Sequence, residues 1–297
     1  RCRRTSARSA LKPSSLRDTI ARATQTLAGA GVASPEVDAR LLAAHLIGVP
    51  PMQLMFADAP TDFDEAYAKL IARRAAREPL QHIIGTAPFV DIDLAVGPGV
   101  FIPRPETEVL AQWAVRLLSD DTTSPESPTV VDLGSGSGAL AITIARACPR
   151  AQVIAVERSP QARKYLERNV GDYASSIRIV PGDMTDPELL RELDGAVDLV
   201  VTNPPYVPET GDLDVEVYAD PHEAVFSGAD GMHAIRGLVP VAARLLRPGG
   251  HLGIEHDDST SEAVQDVVRD HGAFGPPSVV EDLTGRARFV TASKLAR

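Results

Sequence analysis

Cysteine is nearly absent from this 297-residue sequence, with only Cys2 and Cys148 present. Two thiols without C-x-x-C spacing build neither a disulfide framework nor a zinc site, and they fit a reducing cytosol. Aromatic side chains make up only 4%, which disfavours the stacking platforms that capture unpaired bases. No run of about 18 apolar residues is present to span a bilayer, so no membrane role is expected. Positive charge is also in deficit. Thirty Lys and Arg face forty Asp and Glu, a formal charge of -10, which repels a phosphate backbone unless cations cluster. The opening "RCRRTSARSALKPSS" is basic and serine-rich but has no apolar stretch, so it is not a secretory signal. A disordered tail is expected over residues 1–13.

What is present fits a globular protein of one large or two unequal domains, with 44% hydrophobic and 24% charged residues. Ser15-Leu16-Arg17-Asp18 reads as a capping box, followed at helical spacing by Leu16, Ile20, Ala23 and Leu27 up to Gly29 and Gly31. Ser34-Pro35 opens a second helix with Val37, Leu41, Leu42 and Leu46 on its apolar face. Phe63, Tyr67, Leu70 and Ile71 mark a third. Arg73, Arg74 and Arg77 near its end read as a solvated cluster that complements the helix dipole. Residues 14–86 are therefore expected to form a helical domain. In "FVDIDLAVGPGVFIP", the alternation of Val90, Ile92, Leu94 and Val96 before Gly97-Pro98-Gly99 predicts a β-hairpin, placed as a connector over 87–105.

Beyond the polar loop "SDDTTSPESPT" the pattern changes. "TVVDLG", "QVIAVE", "IRIVPGD", "VDLVVTN" and "HLGIEH" alternate with helical stretches, the mark of βαβ units and a mostly parallel sheet covered on both faces. "SVVED" and "ARFVTAS" are expected to close that sheet as an antiparallel hairpin. The fold class is α/β, with the sheet domain spanning 106–297.

The first strand runs into Gly134-Ser135-Gly136-Ser137-Gly138 and an apolar helix. Glycines there let a ligand approach the backbone beside the unpaired N–H groups of a helix N-terminus. The stretch satisfies G-x-G-x-x-A, so a dinucleotide fold stays open, but it lacks the lysine of a P-loop and the serine spacing of a hydrolase elbow. Glu157 ends the next strand, where a carboxylate can accept from both hydroxyls of a ribose. Asp183 follows the third strand, placed to accept from an adenine amine with Met184 beside the ring.

Asn203-Pro204-Pro205-Tyr206 ends the fourth strand on the same edge. Proline holds Asn203 extended, and neither proline has an N–H, so the turn is stiff and rich in acceptors. The Asn203 side-chain oxygen and the Pro204 carbonyl can accept the two hydrogens of a planar NH₂ group, with Tyr206 as a flat wall. Glu255, His256, Asp257 and Asp258 raise the question of a metal, but neighbours at a strand end diverge, and a solvated loop is the expectation.

"VVDLGSGSG", an acid closing the next strand and "NPPY" closing the fourth together resemble the class I S-adenosylmethionine-dependent methyltransferases that modify amide or exocyclic amino nitrogens. "PLQHIIGTAPFVDIDLAVGPGVFIPRPETEVL", "DPHEAVFSGADGM" and "DLTGRARFV" narrow the resemblance to the HemK-type (PrmC) peptide chain release factor glutamine methyltransferases. It implies a Rossmann-like methyltransferase sheet with an N-terminal helical domain that docks the substrate. It implies S-adenosylmethionine as cofactor, S-adenosylhomocysteine as product and no metal. The substrate implied is the glutamine of the Gly-Gly-Gln motif in class 1 release factors, methylated in the cytoplasm by a monomer that contacts neither nucleic acid nor membrane. Gly134 to Gly138, Glu157, Asp183, Met184 and Asn203 would hold the cofactor. Asn203, Pro204, Pro205 and Tyr206 would hold the target amide, the first two and Tyr206 acting in catalysis, and Phe101, Arg104 and Glu106 would complete the pocket. A ribosomal-protein glutamine methyltransferase, a nucleic-acid amine methyltransferase and a non-catalytic S-adenosylmethionine-binding module are the rival expectations. The chain departs from the family pattern at Asp220, at Met184 and in "IEHDD".

Overall fold

Ser15 caps the first helix as its position predicts, its hydroxyl accepting from the Asp18 N–H at 3.2 Å. The computed structural model describes residues 15–120, 125–209 and 213–296, so the basic tail lies outside the described residues. The chain divides into two units at Ile84–Gly85. The first packs α1 (Leu16–Gly29), α2 (Pro35–Ile47), α3 (Phe63–Ala75) and the short α4 (Leu80–Ile84) around Leu27, Leu42, Phe63, Tyr67 and Ile71.

Two expectations fail in this unit for one reason. Val37 is 55% exposed, and its neighbour Asp38 is buried in its place. Arg74, read as solvated, is buried too, and its guanidinium Nε donates to Asp38 Oδ2 at 2.7 Å. An ion pair between α2 and α3 thus rotates α2 away from its expected apolar face. Arg73, by contrast, pairs with Glu78 in partial exposure.

In the second unit β1 (Thr86–Phe89) and β2 (Ile92–Ala95) form an antiparallel hairpin. Val90 does not join its apolar face: it sits in the turn at φ 55° and is 46% exposed, while Phe89, Ile92, Leu94 and Val96 are buried. After α5 (Thr107–Leu118) come β3 (Thr129–Leu133), α6 (Ala139–Ala147), β4 (Gln152–Glu157), α7 (Pro160–Tyr173), β5 (Arg178–Pro181) and β6 (Val197–Thr202). The short α8 (His222–Val225), α9 (His233–Leu245), β7 (Leu246–Glu255), α10 (Ser261–Asp270), β8 (Ser278–Glu281) and β9 (Ala287–Ser293) complete it.

The seven strands from β3 onward form one sheet in the order β5-β4-β3-β6-β7-β9-β8. The first five are parallel, and β9 runs antiparallel to both β7 and β8, which is the expected closing hairpin. Alternation sends Val131 and Leu133 into the core under α9 and α10, and Val130 into the core under α5, α6 and α7. α6 is buried at seven of its nine residues, as a helix covering a parallel sheet must be. Chain order reverses between β3 and β6, the switch point of an open α/β sheet and the place where such sheets leave a crevice. Among the described residues no helix is long and apolar enough to cross a membrane.

Candidate active site

A cleft of about 350 Å³ opens at the carboxyl edge of β3 to β6, lined entirely by residues of the second unit. That volume suits a small-molecule ligand, for which pockets of roughly 300–1,000 Å³ are usual. Its floor is the glycine turn. Gly138 adopts φ 93°, where any other side chain would be strained, and a Cβ there would press on the terminal methyls of Leu166 at 2.8 Å and Ile142 at 2.9 Å. Gly134, at φ 78°, faces Met184 so closely that a Cβ would sit 2.5 Å from its Cε. Gly134, Ser135, Gly136, Ser137, Glu157, Asp183, Met184 and Asn203 line the cleft; Gly138, also expected to hold the cofactor, does not and instead turns the chain into α6.

Glu157 already braces the turn: Oε2 accepts from the Gly136 N–H at 2.8 Å and Oε1 from the Ser159 N–H at 2.7 Å. A carboxylate oxygen accepts more than one hydrogen bond, so both keep capacity for ribose hydroxyls. Asp183 is similarly engaged, with Oδ1 accepting from the Thr185 N–H and hydroxyl and Oδ2 from Arg158 at 3.1 Å. Burial pushes its carboxyl up, but the Thr185 donors and Arg158 outweigh that and hold it below the ordinary value.

Asp132 was missed by the motif reading. It lines the cleft at 1% exposure, Oδ2 accepts from the Ala141 N–H at 3.2 Å, and Oδ1 has no hydrogen-bond partner among the described residues. Burial raises its carboxyl to about 7 against the hydrogen bonds from Ser135 and Ala141. An orphaned acceptor in a polar-floored cleft is what a ligand bearing donors would complete. The only sequence signal was an acid one residue before the end of an otherwise apolar strand.

The Asn-Pro-Pro-Tyr turn is placed differently from the expectation. Asn203 and Pro205 line the cleft, whereas Pro204 and Tyr206 do not. Tyr206 packs against the core of the α9 and α10 layer, and its hydroxyl donates to Glu255 Oε1 at 3.2 Å. It is therefore no flat wall to the cleft; a phenol beside a buried carboxylate is held by that hydrogen bond. Asn203 Nδ2 donates to Thr107 Oγ1 at 3.1 Å, and the Thr202 hydroxyl donates to the Leu133 carbonyl at 2.6 Å, tying the turn to the strand that carries the glycines.

Glu255 and His256 are not a solvated loop. They are 1% and 0% exposed, because β9 keeps pairing alongside them, Phe289 opposite Glu255 and the His256 N–H donating to the Arg288 carbonyl at 2.9 Å. Burial raises the Glu255 carboxyl to about 7, opposed by hydrogen bonds from Thr107 and Tyr206 and by the charge of Arg288, and reinforced by Glu106. Asp257 and Asp258 are partly exposed, with Asp257 capping a short turn through Ser259. No group of three His, Cys, Asp or Glu side chains among the described residues is arranged to hold a metal ion.

Of the remaining pocket candidates, Phe101 lines the cleft and Arg104 lies over its ring at 5.0 Å. Arg104 also pairs at 2.5 Å with Asp220, whose other oxygen accepts from the Ile102 N–H. This fixes the start of the segment Pro221–Gly228, from which Pro221, His222, Phe226 and Gly228 reach the cleft. The family departure at Asp220 thus keeps an acid that reaches Arg104. Glu106 is exposed at the start of α5 and does not line the cleft.

Residues 18–85 match the family model described as the PrmC N-terminal domain, and residues 105–220 match the methyltransferase small domain. The release factor glutamine methyltransferase of Corynebacterium glutamicum is 56% identical over 94% of this chain and 99% of its own. That of Mycolicibacterium smegmatis is 51% identical over 95% and 99%, and that of Mycobacterium tuberculosis 44% over 94% and 91%. Identity of this level over both units leaves one conclusion: the chain belongs to the release factor glutamine methyltransferase family.

Proposed function

We propose that this protein transfers a methyl group from S-adenosylmethionine to the side-chain amide nitrogen of the glutamine in the Gly-Gly-Gln loop of class 1 peptide chain release factors. The observation that carries this reading is the orientation of Asn203. One hydrogen of its Nδ2 goes to Thr107, Oδ1 accepts no hydrogen bond among the described residues, and the two prolines after it contribute no competing donor.

A glutamine amide is a poor nucleophile because its nitrogen lone pair is delocalised into the carbonyl. Asn203 Oδ1 accepts one of its hydrogens and aims the nitrogen, and orientation of this kind supplies several of the roughly 7–11 kcal/mol available from positioning. S-adenosylmethionine supplies an electrophilic sulfonium methyl and leaves as S-adenosylhomocysteine. Gly134 to Gly138 shape the floor beneath it, the N–H groups of Gly134, Ser135, Gly136 and Gly138 being engaged within the protein, Glu157 takes the ribose, and Asp183 with Met184 takes the adenine. Asp132 offers its orphaned oxygen to the ligand's cationic end. The nitrogen grows acidic as its bond to carbon forms, so its proton departs without a dedicated strong base. The helical unit is the release-factor dock in this reading. The enzyme works as a cytoplasmic monomer without a metal and contacts neither nucleic acid nor membrane.

The test is labelled methyl from S-adenosylmethionine offered with a purified class 1 release factor and with its Gln-substituted twin. Label is expected in the first alone. Equal labelling of both, or labelling only of a ribosomal protein or of DNA, overturns the assignment.

A further inference from the structure

We propose that Asn169 is a positioning residue that ties one wall of the cleft to its floor and so sets the gap in which methyl transfer takes place. The proposal rests on the reading of the cleft as the transfer site, with Phe101 in the wall that the target glutamine meets. Asn169 lies on α7, is 0% exposed and belongs to none of the motifs that brought the cleft into view. Both hydrogens of its amide are used. Oδ1 accepts from the Ala95 N–H at 2.8 Å, while Nδ2 donates to the Ala95 carbonyl at 3.1 Å and to the Ser137 carbonyl at 2.9 Å. Reversing the amide would set its NH₂ group against an N–H and its oxygen against two carbonyls, so these partners fix its orientation.

The partners belong to two different parts of the cleft. Ser137 is in the glycine turn and lines the floor. Ala95 ends β2, and the arm that leaves it, residues 96–103, carries Gly99, Val100, Phe101 and Pro103 to the cleft. That arm is laid along α7. Gln161, Tyr165 and Asn169 recur at i, i+4 spacing on the helix, and a Cβ at Gly97 would meet the Tyr165 hydroxyl, as one at Gly99 would meet the Gln161 side chain. Ala162 of the same helix is buried in one cluster with Val96, Val100 and Ile102. Apolar contact of this kind holds the arm against α7 without choosing where along it the arm rests, whereas hydrogen bonds have preferred directions and lengths. Asn169 supplies that register, and it does so from the floor on which the cofactor lies.

Asn169→Ala removes all three hydrogen bonds. Asn169→Asp keeps the shape and the acceptor for the Ala95 N–H but faces two carbonyls with an oxygen. With a class 1 release factor, both are expected to lower kcat by about 30-fold, inside the roughly 100-fold that a misplacement of about 1 Å can cost. S-adenosylhomocysteine affinity, read by calorimetry, should move less than about threefold, because the glycine turn keeps its bonds to Glu157 and to the Val156 carbonyl. A role in the fold alone would instead lower the urea midpoint and leave kcat of the folded protein where it was.

The decisive comparison is made in a Phe101→Ala background under single-turnover conditions. There Asn169→Ala should cost less than about threefold further, because the side chain that the arm presents is gone. Unimpaired kcat in both Asn169 variants, losses that add in full to that of Phe101→Ala, or a Phe101→Ala enzyme at full rate overturns the proposal while leaving the reading of the site in place. A fall in S-adenosylhomocysteine affinity as large as the fall in kcat assigns Asn169 to the cofactor floor alone and overturns it as well. A parent protein that labels no release factor removes the underlying reading and the proposal with it. Should Asn169→Ala fail to fold, Asn169→Asp and the milder Asn169→Ser decide on the same readouts.

Discussion

Asp38 in the helical unit and Glu255 in the sheet unit are both carboxylates taken out of water, at 6% and 1% exposure, and they are treated in opposite ways. Asp38 receives a guanidinium at 2.7 Å from Arg74, itself buried. Glu255 receives the Tyr206 hydroxyl, keeps Oε2 without a hydrogen-bond partner among the described residues, and sits behind a turn that lines the cleft. Asp132 resembles Glu255, with one backbone donor and one orphaned oxygen. A buried acid that serves the fold is neutralised by a partner of opposite charge. Asp132 and Glu255 have no such partner at hydrogen-bond distance and each keeps one oxygen unsatisfied.

The sharpest way to break this contrast is Arg74→Met. It strands the Asp38 charge and is expected to cost about 3–5 kcal/mol of stability, read from urea midpoints, with little effect on S-adenosylhomocysteine affinity. A loss under 1 kcal/mol would make Asp38 no more paired than Glu255.

Next in size is a pH effect. Folding raises the Glu255 carboxyl from 4.5 to about 7, so between those values the folded protein holds a proton that the unfolded chain releases. Stability from this group is therefore lost as pH rises through that window, by about 3 kcal/mol in all. Glu255→Gln should flatten the decline when urea midpoints at pH 5 and pH 8 are compared with the parent, while the parallel contribution of Asp132 cancels between the two proteins.

A smaller effect is expected of Asp132→Asn, which retains the shape but loses a cleft-facing acceptor. S-adenosylhomocysteine should bind about tenfold more weakly, roughly 1.4 kcal/mol by calorimetric titration, with stability held or raised. Unchanged affinity with lowered stability would move Asp132 to the side of Asp38. Smallest of all, Asp38→Leu combined with Arg74→Met should shift the melting free energy by less than about 1 kcal/mol or stabilise the protein, since a buried ion pair replaced whole leaves no charge behind.

The same contrast explains what could be read from sequence. Strand alternation, the glycine turn and the Asn-Pro-Pro-Tyr turn are local, and the order of the sheet follows from them with few choices left. The burial of Asp38 was hidden because its partner lies on another helix, and periodicity alone sees only the apolarity of Val37. "IEHDD" looks like a solvated charge run because nothing local says that β9 covers its first two residues. Thr107 is one polar residue within a charged segment, and its hydrogen bond with Asn203 is made only through the fold. Tyr206 turned inward for the same reason: its acceptor lies on β7, beyond any local pattern.

The switch point between β3 and β6 also has a consequence in time. Val130 pairs with Leu199, so the two lips of the cleft are distant in the chain and meet only after the β4–α7–β5 crossover has been laid down. Non-local pairing of this kind is slow to form, whereas the contacts within the helical unit are closer in sequence. During synthesis that unit is expected to fold while the cleft is still two separate strand ends, and capacity for methyl transfer should appear abruptly, with the arrival of β6 and then of the β7 and β9 strands that bury Glu255.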